Sequence, residues 1–455
     1  MSAAGPGSSW TGRPLSADWN RLRRRRRLWS ADWSRLRRRR RLWSADWNRL
    51  RRRRRAGFRP VTLVAAIVVL VLAVALAPGH RGWFDVGVYY GTVHYWLDSG
   101  GQIYDYLRPG TVYGFTYPPF AVVSMLPMEL VSWHTAVAVS ILLNTAASML
   151  LLYWLVLPIV RRRGWPVWYA MGIAAVLFAA TEPVRDTYSF GQVNLLLLAL
   201  VYADLWLLSR EGRFAGVGIG LATAIKLTPA LFIGYLLLAR RYRAAAVAAG
   251  TATGATLLAA LLMPGASRVF WTEALWDTGR IGSLGYVSNQ SLNGLLARLD
   301  PTAGGGLIWA LTVLVVLIIW GYRARQAGDD TLGFALTGVV ACLVSPVTWV
   351  HHLVWLVPAL VLLADDGLTR LREGAGWGRL AGAIAILVLL VSGPVWLWSP
   401  YPHGVDGFIG GNAYVWVGLA LLLAVPQPAA AAPSADAGRL VRSIPGPSGW
   451  RTPAS

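Results

Sequence analysis

Two residues of opposite charge stand out because each lies where apolar sequence makes charge costly. Asp85 comes just after the apolar run 61–77, and Lys226, the only lysine in the chain, lies inside the apolar run 214–239. A carboxylate can act as a general base, and an ammonium group can stabilise an anion as it forms. Ionisable residues in apolar segments are rare and often mark functional sites. Asp85 and Lys226 are therefore the first candidates for a base and an anion-binding cation.

Each of the two residues also has a structural interpretation. Aromatic residues collect at the membrane surface, so Asp85 and its neighbour Tyr89 are also what an interfacial loop would contain. Lys226 could extend its ammonium group to lipid headgroups while its stem stays in apolar surroundings. Neither residue decides the question alone. The polar residues further along the chain favour the functional interpretation.

Two pairs of amides are candidates for substrate binding. Gln192 and Asn194 stand at the start of a leucine-rich run, where their amides must find a neighbouring helix or a ligand. Asn289 and Gln290 lie in the long segment 264–304. All four are predicted on the same side of a membrane as Asp85.

Two adjacent histidines, His351 and His352, begin another apolar run. Neighbouring residues on a helix point about 100° apart, so the pair does not easily share one metal ion. No second pair with ligand spacing is close in sequence, and the sequence predicts neither a metal site nor a cofactor. A histidine at the mouth of a membrane protein can instead hydrogen bond a phosphate or a sugar hydroxyl.

Composition defines the class of protein that must position these residues. The chain is 55% hydrophobic and 14% charged, with a mean hydropathy of +0.48, which excludes an ordinary soluble domain of this length. The single cysteine, Cys342, excludes a disulfide framework and a cysteine zinc site. The fold class is therefore predicted as an all-α polytopic membrane protein.

Short arginine clusters indicate the cytoplasmic side, because positive charge is retained inside. Spans are predicted at about 60–78, 134–159, 165–181, 193–209, 244–263, 306–322, 331–346, 351–364, 380–397 and 413–426. The run 214–239 is interrupted by Lys226 and Pro229 and is predicted as two half-depth helices. Counting both halves gives about twelve segments with both termini inside. Asp85, Lys226 and the amides then face the extracytoplasmic side.

The segment 117–131 is too short to cross a bilayer and is predicted to lie along its surface. It begins with Tyr117 and two prolines. This arrangement places Tyr117 on the same outer side as Asp85.

The basic N-terminus is predicted as a separate region. Residues 15–55 contain three copies of a 14-residue unit, each with six Arg and one Asp, and they supply +15 of the net charge of +22. We expect residues 1–58 to form a disordered cytoplasmic tail that binds anionic lipid headgroups, with nucleic acid binding the less favoured alternative. The membrane domain is predicted at 59–427 and a disordered C-terminal tail at 428–455.

The motifs taken together resemble a known family. In order they are Phe84-Asp85-Val86-Gly87-Val88-Tyr89, Tyr117-Pro118-Pro119-Phe120, Gly191-Gln192-Val193-Asn194, Ala224-Ile225-Lys226-Leu227-Thr228-Pro229, Asn289-Gln290-Ser291-Leu292 and Ser345-Pro346-Val347-Thr348-Trp349-Val350-His351-His352. The series is similar to the actinobacterial polyprenol-phosphate-mannose-dependent α-mannosyltransferases, which are membrane glycosyltransferases of the GT-C fold. The resemblance covers about residues 60–426.

The resemblance implies transfer of mannose, with inversion, from polyprenyl-phosphate-mannose to a glycolipid or lipoglycan outside the cytoplasmic membrane, through an α-1,2 linkage. It implies that Asp85 is the general base. Lys226, His351 and His352 would then bind the donor phosphate, with Tyr89, Tyr117, Gln192, Asn194, Asn289 and Gln290 as substrate-binding candidates. Transfer of another lipid-linked sugar such as arabinofuranose, a lipid or sugar transporter, and a non-catalytic scaffold remain as alternatives.

Overall fold

Helices make up nearly all of the chain that the computed structural model describes, namely residues 59–71, 80–300 and 306–426. They are α1 (Arg59–Val71), α2 (Phe84–Ser99), α3 (Pro119–Met125), α4 (Trp133–Leu155), α5 (Leu157–Arg162), α6 (Val167–Ala180), α7 (Glu182–Phe190), α8 (Asn194–Leu208), α9 (Val217–Ile225), α10 (Ala230–Leu238), α11 (Tyr242–Leu262), α12 (Pro264–Val269), α13 (Leu292–Leu299), α14 (Leu307–Arg325), α15 (Asp330–Val344), α16 (Val357–Arg372), α17 (Trp377–Ser392), α18 (Gly404–Gly410) and α19 (Ala413–Ala424). Short 3-10 or π segments cover Leu126–Leu130, Phe270–Ala274, Thr278–Arg280, Val350–Leu356 and Pro394–Trp398. The predicted all-α class is confirmed.

The predicted tails, residues 1–58 and 428–455, lie outside the described residues. Their predicted disorder and lipid binding therefore stay predictions. The segment predicted to lie along the membrane surface contains helix α3 and the 3-10 turn Leu126–Leu130, and it is shorter than a span, as predicted.

Four stretches of the described chain are long and apolar enough to cross a membrane: Trp133–Arg162, Tyr242–Leu262, Leu307–Arg325 and Val350–Arg372. The pair α6 and α7 qualifies only as a span bent by 69°, and the pair α18 and α19 as one bent by 50°. Helices α8, α15 and α17 have 15, 15 and 16 residues. At about 1.5 Å per residue they fall short of a hydrocarbon core of roughly 30 Å. The membrane character is confirmed, whereas the count of about twelve segments is not.

The predicted break in the run 214–239 is present. Helix α9 ends at Ile225, Lys226 is extended at φ −149° and ψ 129°, and α10 begins only at Ala230. Pro229 explains the interruption, since proline cannot donate to the preceding turn and disfavours helical backbone in the residue before it. The break leaves Lys226 free of a regular helix at the C-terminal end of α9.

Two devices hold α9 in position. The carboxylate of Asp204 on α8 accepts a hydrogen bond from the backbone N–H of Ile219 at 2.6 Å, in the first turn of α9 where such groups lack partners. Glycines let α9 approach α11 closely: a Cβ on Gly216 would lie 2.3 Å from the carbonyl oxygen of Ala244. Helix α9, which ends just before Lys226, is thus held in place by Asp204 and by its close packing on α11.

Buried side chains form a large cluster at the centre of the helices. Its aromatic members Tyr202, Phe232 and Tyr235 pack around Phe334 with ring centroids 5.4 to 6.1 Å apart. A second cluster packs against one face of α2 and includes Tyr89, Tyr104, Phe115 and Phe270. The site described below lies where α2 meets α7, α8 and α9.

Candidate active site

Asp85 lies in the first turn of α2 rather than in an open loop. Trp83 immediately before the helix has a left-handed backbone (φ 47°), and its N–H donates to the carbonyl of Ser189 at 2.9 Å. Val86, Val88 and Tyr89 on the same helix are buried. This packing draws Asp85 inward, so the carboxyl is half-buried and not a freely exposed interfacial group.

Gln192 connects Asp85 to two tyrosines. Its side-chain oxygen accepts hydrogen bonds from the hydroxyls of Tyr117 at 2.9 Å and Tyr89 at 3.2 Å. Because the oxygen is occupied, the amide nitrogen is the group that bonds the carboxylate of Asp85. Gly191 makes this placement possible with a left-handed φ of 71° that ends α7.

Lys226 approaches the same network from the end of α9. Its ammonium nitrogen lies 3.4 Å from the hydroxyl of Tyr117, 3.2 Å from the side-chain oxygen of Asn194 and 2.8 Å from Nε2 of His352. The nitrogen also lies 5.0 Å from the ring centroid of Tyr117, within cation–π range. These partners are protein groups, which favours the functional interpretation of Lys226 over snorkelling to headgroups.

The two histidines occupy different places. Nε2 of His352 lies 2.8 Å from the Lys226 nitrogen, and its Nδ1 lies 3.2 Å from the backbone nitrogen of Trp349. His351 is buried, and its ring packs 5.0 Å from that of Phe190. Nε2 of His351 has no partner among the described residues. An unpartnered buried nitrogen is costly, so it is a natural contact for a ligand.

Burial changes the acidity of Asp85. Removal from water raises its pKa to about 7, and this effect outweighs the hydrogen bond from Gln192 and the positive charges of Lys226 and Arg108, which lower it. A carboxyl group with such a pKa can exchange a proton near neutral pH, which a general base requires.

Arg108 was not among the residues singled out from the sequence. Its guanidinium lies 4.5 Å from the ring centroid of Phe84 and packs over Gly87, where a Cβ would lie 3.1 Å from Cζ. Its NH1 nitrogen is buried without a hydrogen-bond partner among the described residues. The available signal was an arginine in a segment predicted to be extracytoplasmic, away from the cytoplasmic clusters. Arg108 is a second cation beside Asp85.

Asn289 and Gln290 do not join the site. Both are buried, and Asn289 binds the backbone of Thr348 and Leu284. The amide of Gln290 donates to two carbonyls, and its oxygen accepts from the N–H of Tyr414 at 3.2 Å. Because protein groups already occupy these amides, we assign them to holding loops together and not to substrate binding.

Asn194 has a supporting place in the site. Its oxygen contacts Lys226, and its nitrogen donates to the carbonyl of His351 at 3.3 Å. The network therefore joins seven of the predicted residues directly: Asp85, Tyr89, Tyr117, Gln192, Asn194, Lys226 and His352.

Apolar helices of bilayer-spanning length and a half-buried carboxyl near two cations are the features that a membrane enzyme acting by proton transfer and anion binding requires. The family model for glycosyltransferase family 87 matches residues 115–346, half of the chain. The chain belongs to this glycosyltransferase family. The matched part contains Tyr117, Gln192 and Lys226, whereas Asp85 precedes it.

Curated relatives extend the likeness over most of the chain. A polyprenol-phosphate-mannose-dependent alpha-(1-2)-phosphatidylinositol pentamannoside mannosyltransferase of Mycobacterium tuberculosis (strain CDC 1551 / Oshkosh) is 33% identical over 386 residues, covering 79% of this chain and 85% of the relative. A polyprenol-phosphate-mannose-dependent alpha-(1-2)-phosphatidylinositol mannoside mannosyltransferase of M. tuberculosis (strain ATCC 25618 / H37Rv) is 31% identical, covering 76% and 85%. An alpha-(1->3)-arabinofuranosyltransferase of Corynebacterium glutamicum is 24% identical, covering 65% and 76%.

No solved structure matches the chain. The predicted resemblance to the mannosyltransferases is confirmed by the relatives, and membership of a glycosyltransferase family sets aside the transporter and the scaffold.

Proposed function

We propose that the enzyme transfers mannose from polyprenyl-phosphate-mannose to a phosphatidylinositol mannoside or related lipoglycan, outside the cytoplasmic membrane and through an α-1,2 linkage. The donor and the acceptor class are those in the names of the relatives. The observation that carries the proposal is the half-buried Asp85, with a pKa of about 7 and with the positive charges of Lys226 and Arg108 nearby.

The chemistry needs a base but no strong acid. A hydroxyl oxygen of the acceptor forms a bond to the anomeric carbon of mannose, and the hydroxyl proton passes to Asp85. The bond between that carbon and the phosphate oxygen breaks, and its electron pair stays on the phosphate. Attack opposite the leaving phosphate inverts a β-linked donor into an α-linked product.

Lys226 and His352 supply the groups that such a leaving phosphate requires. Charge on the phosphate grows in the transition state, so a nearby ammonium group stabilises that state more than the bound donor. The 2.8 Å contact between Lys226 and His352 places the two polar groups so that one phosphate can touch both. His351, with its unpartnered Nε2, is a third donor-binding candidate.

Asp85→Asn tests the proposal, because the amide has nearly the same shape but cannot accept the proton. Purified enzyme in detergent would be incubated with radiolabelled polyprenyl-phosphate-mannose and a mannoside acceptor. We expect turnover to fall by roughly 10²- to 10⁴-fold while the apparent KM for donor changes little. A variant that keeps more than about a tenth of the wild-type turnover would make Asp85 structural.

A second candidate is transfer of arabinofuranose from its own polyprenyl phosphate, which the more distant Corynebacterium relative favours. The same assay with that donor decides between the two sugars. Transfer of arabinofuranose and not mannose would keep the site chemistry and change the substrate.

A further inference from the structure

A series of aromatic side chains in contact with one another borders the candidate site. Phe84, which immediately precedes Asp85, lies 6.1 Å from the ring of Tyr113 and 6.5 Å from the ring of Phe190. The guanidinium of Arg81 lies 5.6 Å from the centroid of Phe190 and 5.3 Å from that of Trp396. Arg81 thus links two aromatic residues that come from distant parts of the chain.

The other half of the ring closes the circuit. Tyr286 lies 6.2 Å from Trp396 and 6.1 Å from Trp349. A Cβ on Gly282 would lie 3.4 Å from the ring of Trp349 and 3.6 Å from that of Tyr113, so these two rings flank one glycine. We call this circuit the aromatic rim; it comprises Phe84, Tyr113, Phe190, Trp396, Tyr286 and Trp349, with Arg81 as a link.

The charged and histidine groups of the site are attached to the rim itself. Arg108 lies over the ring of Phe84, and His351 packs on Phe190. His352 is held by the backbone of Trp349. The aromatic rim therefore borders the groups that surround Asp85.

Accessibility separates the rim from the aromatic core. Core rings such as Tyr104, Phe115 and Phe270 are at most 2% exposed. Tyr113 is 43% exposed, and the other rim rings are half-buried. Partly open aromatic faces with a few polar groups between them are the usual lining of a ligand site.

A carboxyl group accompanies the rim. Asp186 lies one helical turn before Phe190 on α7 and is half-buried. Within residues 80–300 and 306–426 the negative charge of Glu182 and the positive charges of Arg81 and Arg185 lie nearby, and the Asp186 side chain forms no direct hydrogen bond or ion pair. A carboxylate in that state has all of its acceptor positions available for hydroxyl groups.

We infer that the aromatic rim and Asp186 form a binding site for an acceptor that carries several linked sugars, with the end sugar reaching Asp85. Sugar rings present flat C–H faces that pack on aromatic rings, and their hydroxyls bond carboxylates. Rings spaced around the circuit suit a chain of sugars better than a single one. This inference rests on the proposed function for its reacting group, but not for its binding surface.

Acceptor length is the variable that tests the rim. Octyl α-mannosides with one, two and three mannose residues would be compared as acceptors for radiolabelled polyprenyl-phosphate-mannose. We expect the apparent KM of the wild type to fall at least about tenfold from one mannose to three, since each stacked ring adds binding. Tyr113→Leu and Tyr286→Leu should remove most of that gain, so that the apparent KM for the trimannoside approaches the KM for the single mannoside.

Tyr242→Leu is the matched control, because Tyr242 is 62% exposed at the start of α11 and makes no ring contact with the described residues. It should keep the full length dependence. The inference is overturned if the wild type shows no length dependence, or if both rim variants keep it. If the wild type transfers no mannose at all, the proposed function fails, and direct binding of tritiated octyl trimannoside to the same three variants still decides the role of the rim.

Discussion

At the scale of the single residue, the proposed role of Asp85 as general base predicts a defined pH dependence of activity. Burial raises the pKa of this carboxyl to about 7, and a general base works only when it is deprotonated. Activity should therefore be lost as pH falls and retained as pH rises. We expect kcat/KM to increase about tenfold per pH unit below about 7 and to level off above it.

A series of rates between about pH 5.5 and 8.5, with saturating acceptor, measures this dependence. The residual activity of Asp85→Asn should lack the acidic limb. A wild-type profile that is flat through neutral pH would remove Asp85 as the titrating base.

Lys226 allows a prediction that separates phosphate binding from snorkelling. If its ammonium group holds the donor phosphate, Lys226→Met should raise the apparent KM for polyprenyl-phosphate-mannose and lower turnover, each by about tenfold or more. Lys226→Arg should keep only part of the activity, because a planar guanidinium group does not reproduce the compact charge of an ammonium group.

Thermal stability of the same Met variant supplies the comparison. Removing a snorkelling charge from an apolar segment would leave stability unchanged or raise it, with normal donor kinetics. Wild-type rates at subsaturating donor in Lys226→Met would end the phosphate assignment, and His351 would be the next residue to test.

Single residues also show where sequence reasoning stops. The carboxyl and the lysine were predictable because charge in apolar sequence is rare, and Gln192 because it begins an apolar run. The roles of Asn289 and Gln290 were not predictable, because their partners are backbone groups far away in sequence, such as the N–H of Tyr414. Local sequence does not show whether a side-chain amide already has hydrogen-bond partners within the protein.

At the scale of the elements, the contact between α2 and the end of α7 holds Asp85 against Gln192. Gly191 has φ 71°, and a Cβ there would lie 2.1 Å from Cγ2 of Val86. Gly191→Ala should therefore push the two helices apart, with a loss of stability of about 2 kcal/mol or more. Activity should fall even where the variant stays folded, because Gln192 no longer meets Asp85.

Gly254→Ala on α11 is the matched control, since no atom would lie within 4 Å of its Cβ. Alanine in a helix interior is favoured over glycine by about 1 kcal/mol, so this variant should melt at the same temperature or higher. Thermal unfolding and transfer rates of both variants measure the difference. Equal behaviour of the two would show that the contact between α2 and α7 does not position the site.

Element boundaries were predictable where the sequence contains its own signal. Pro229 and Lys226 mark the break between α9 and α10, which the structure contains. Helices α8, α15 and α17 were predicted as spans from hydropathy alone, yet 15 to 16 residues are too few to cross by themselves. Hydropathy indicates which residues are removed from water. It does not indicate whether lipid or protein surrounds them.

For the whole molecule, the side of the membrane on which the site lies can be tested by labelling single cysteines. Ser283 and Ser209 are both exposed, and the one native cysteine, Cys342, is buried. We expect Ser283→Cys to react with an impermeant maleimide in intact cells and Ser209→Cys to react only after permeabilisation, because positive charge near Ser209 is retained inside. The opposite pattern would invert the topology and place the chemistry in the cytoplasm.

The sequence could not show which residues from distant segments the fold brings together. The six rings of the aromatic rim come from segments between Phe84 and Trp396, and only folding brings them together. The position of Arg108 over the ring of Phe84 is likewise a product of the fold. The sequence identifies charged and polar residues in apolar segments. The fold determines which of these residues are in contact.

The two cations beside one carboxyl have a consequence for how the catalytic cycle ends. In the proposed reaction, negative charge leaves Asp85 as it takes up a proton and appears on the departing lipid phosphate. The spent lipid therefore carries more charge toward Lys226 than the donor did, and it is held more tightly. In the proposed cycle, loss of the Asp85 proton to water restores a negative charge near that phosphate, and this repulsion favours release of the used carrier.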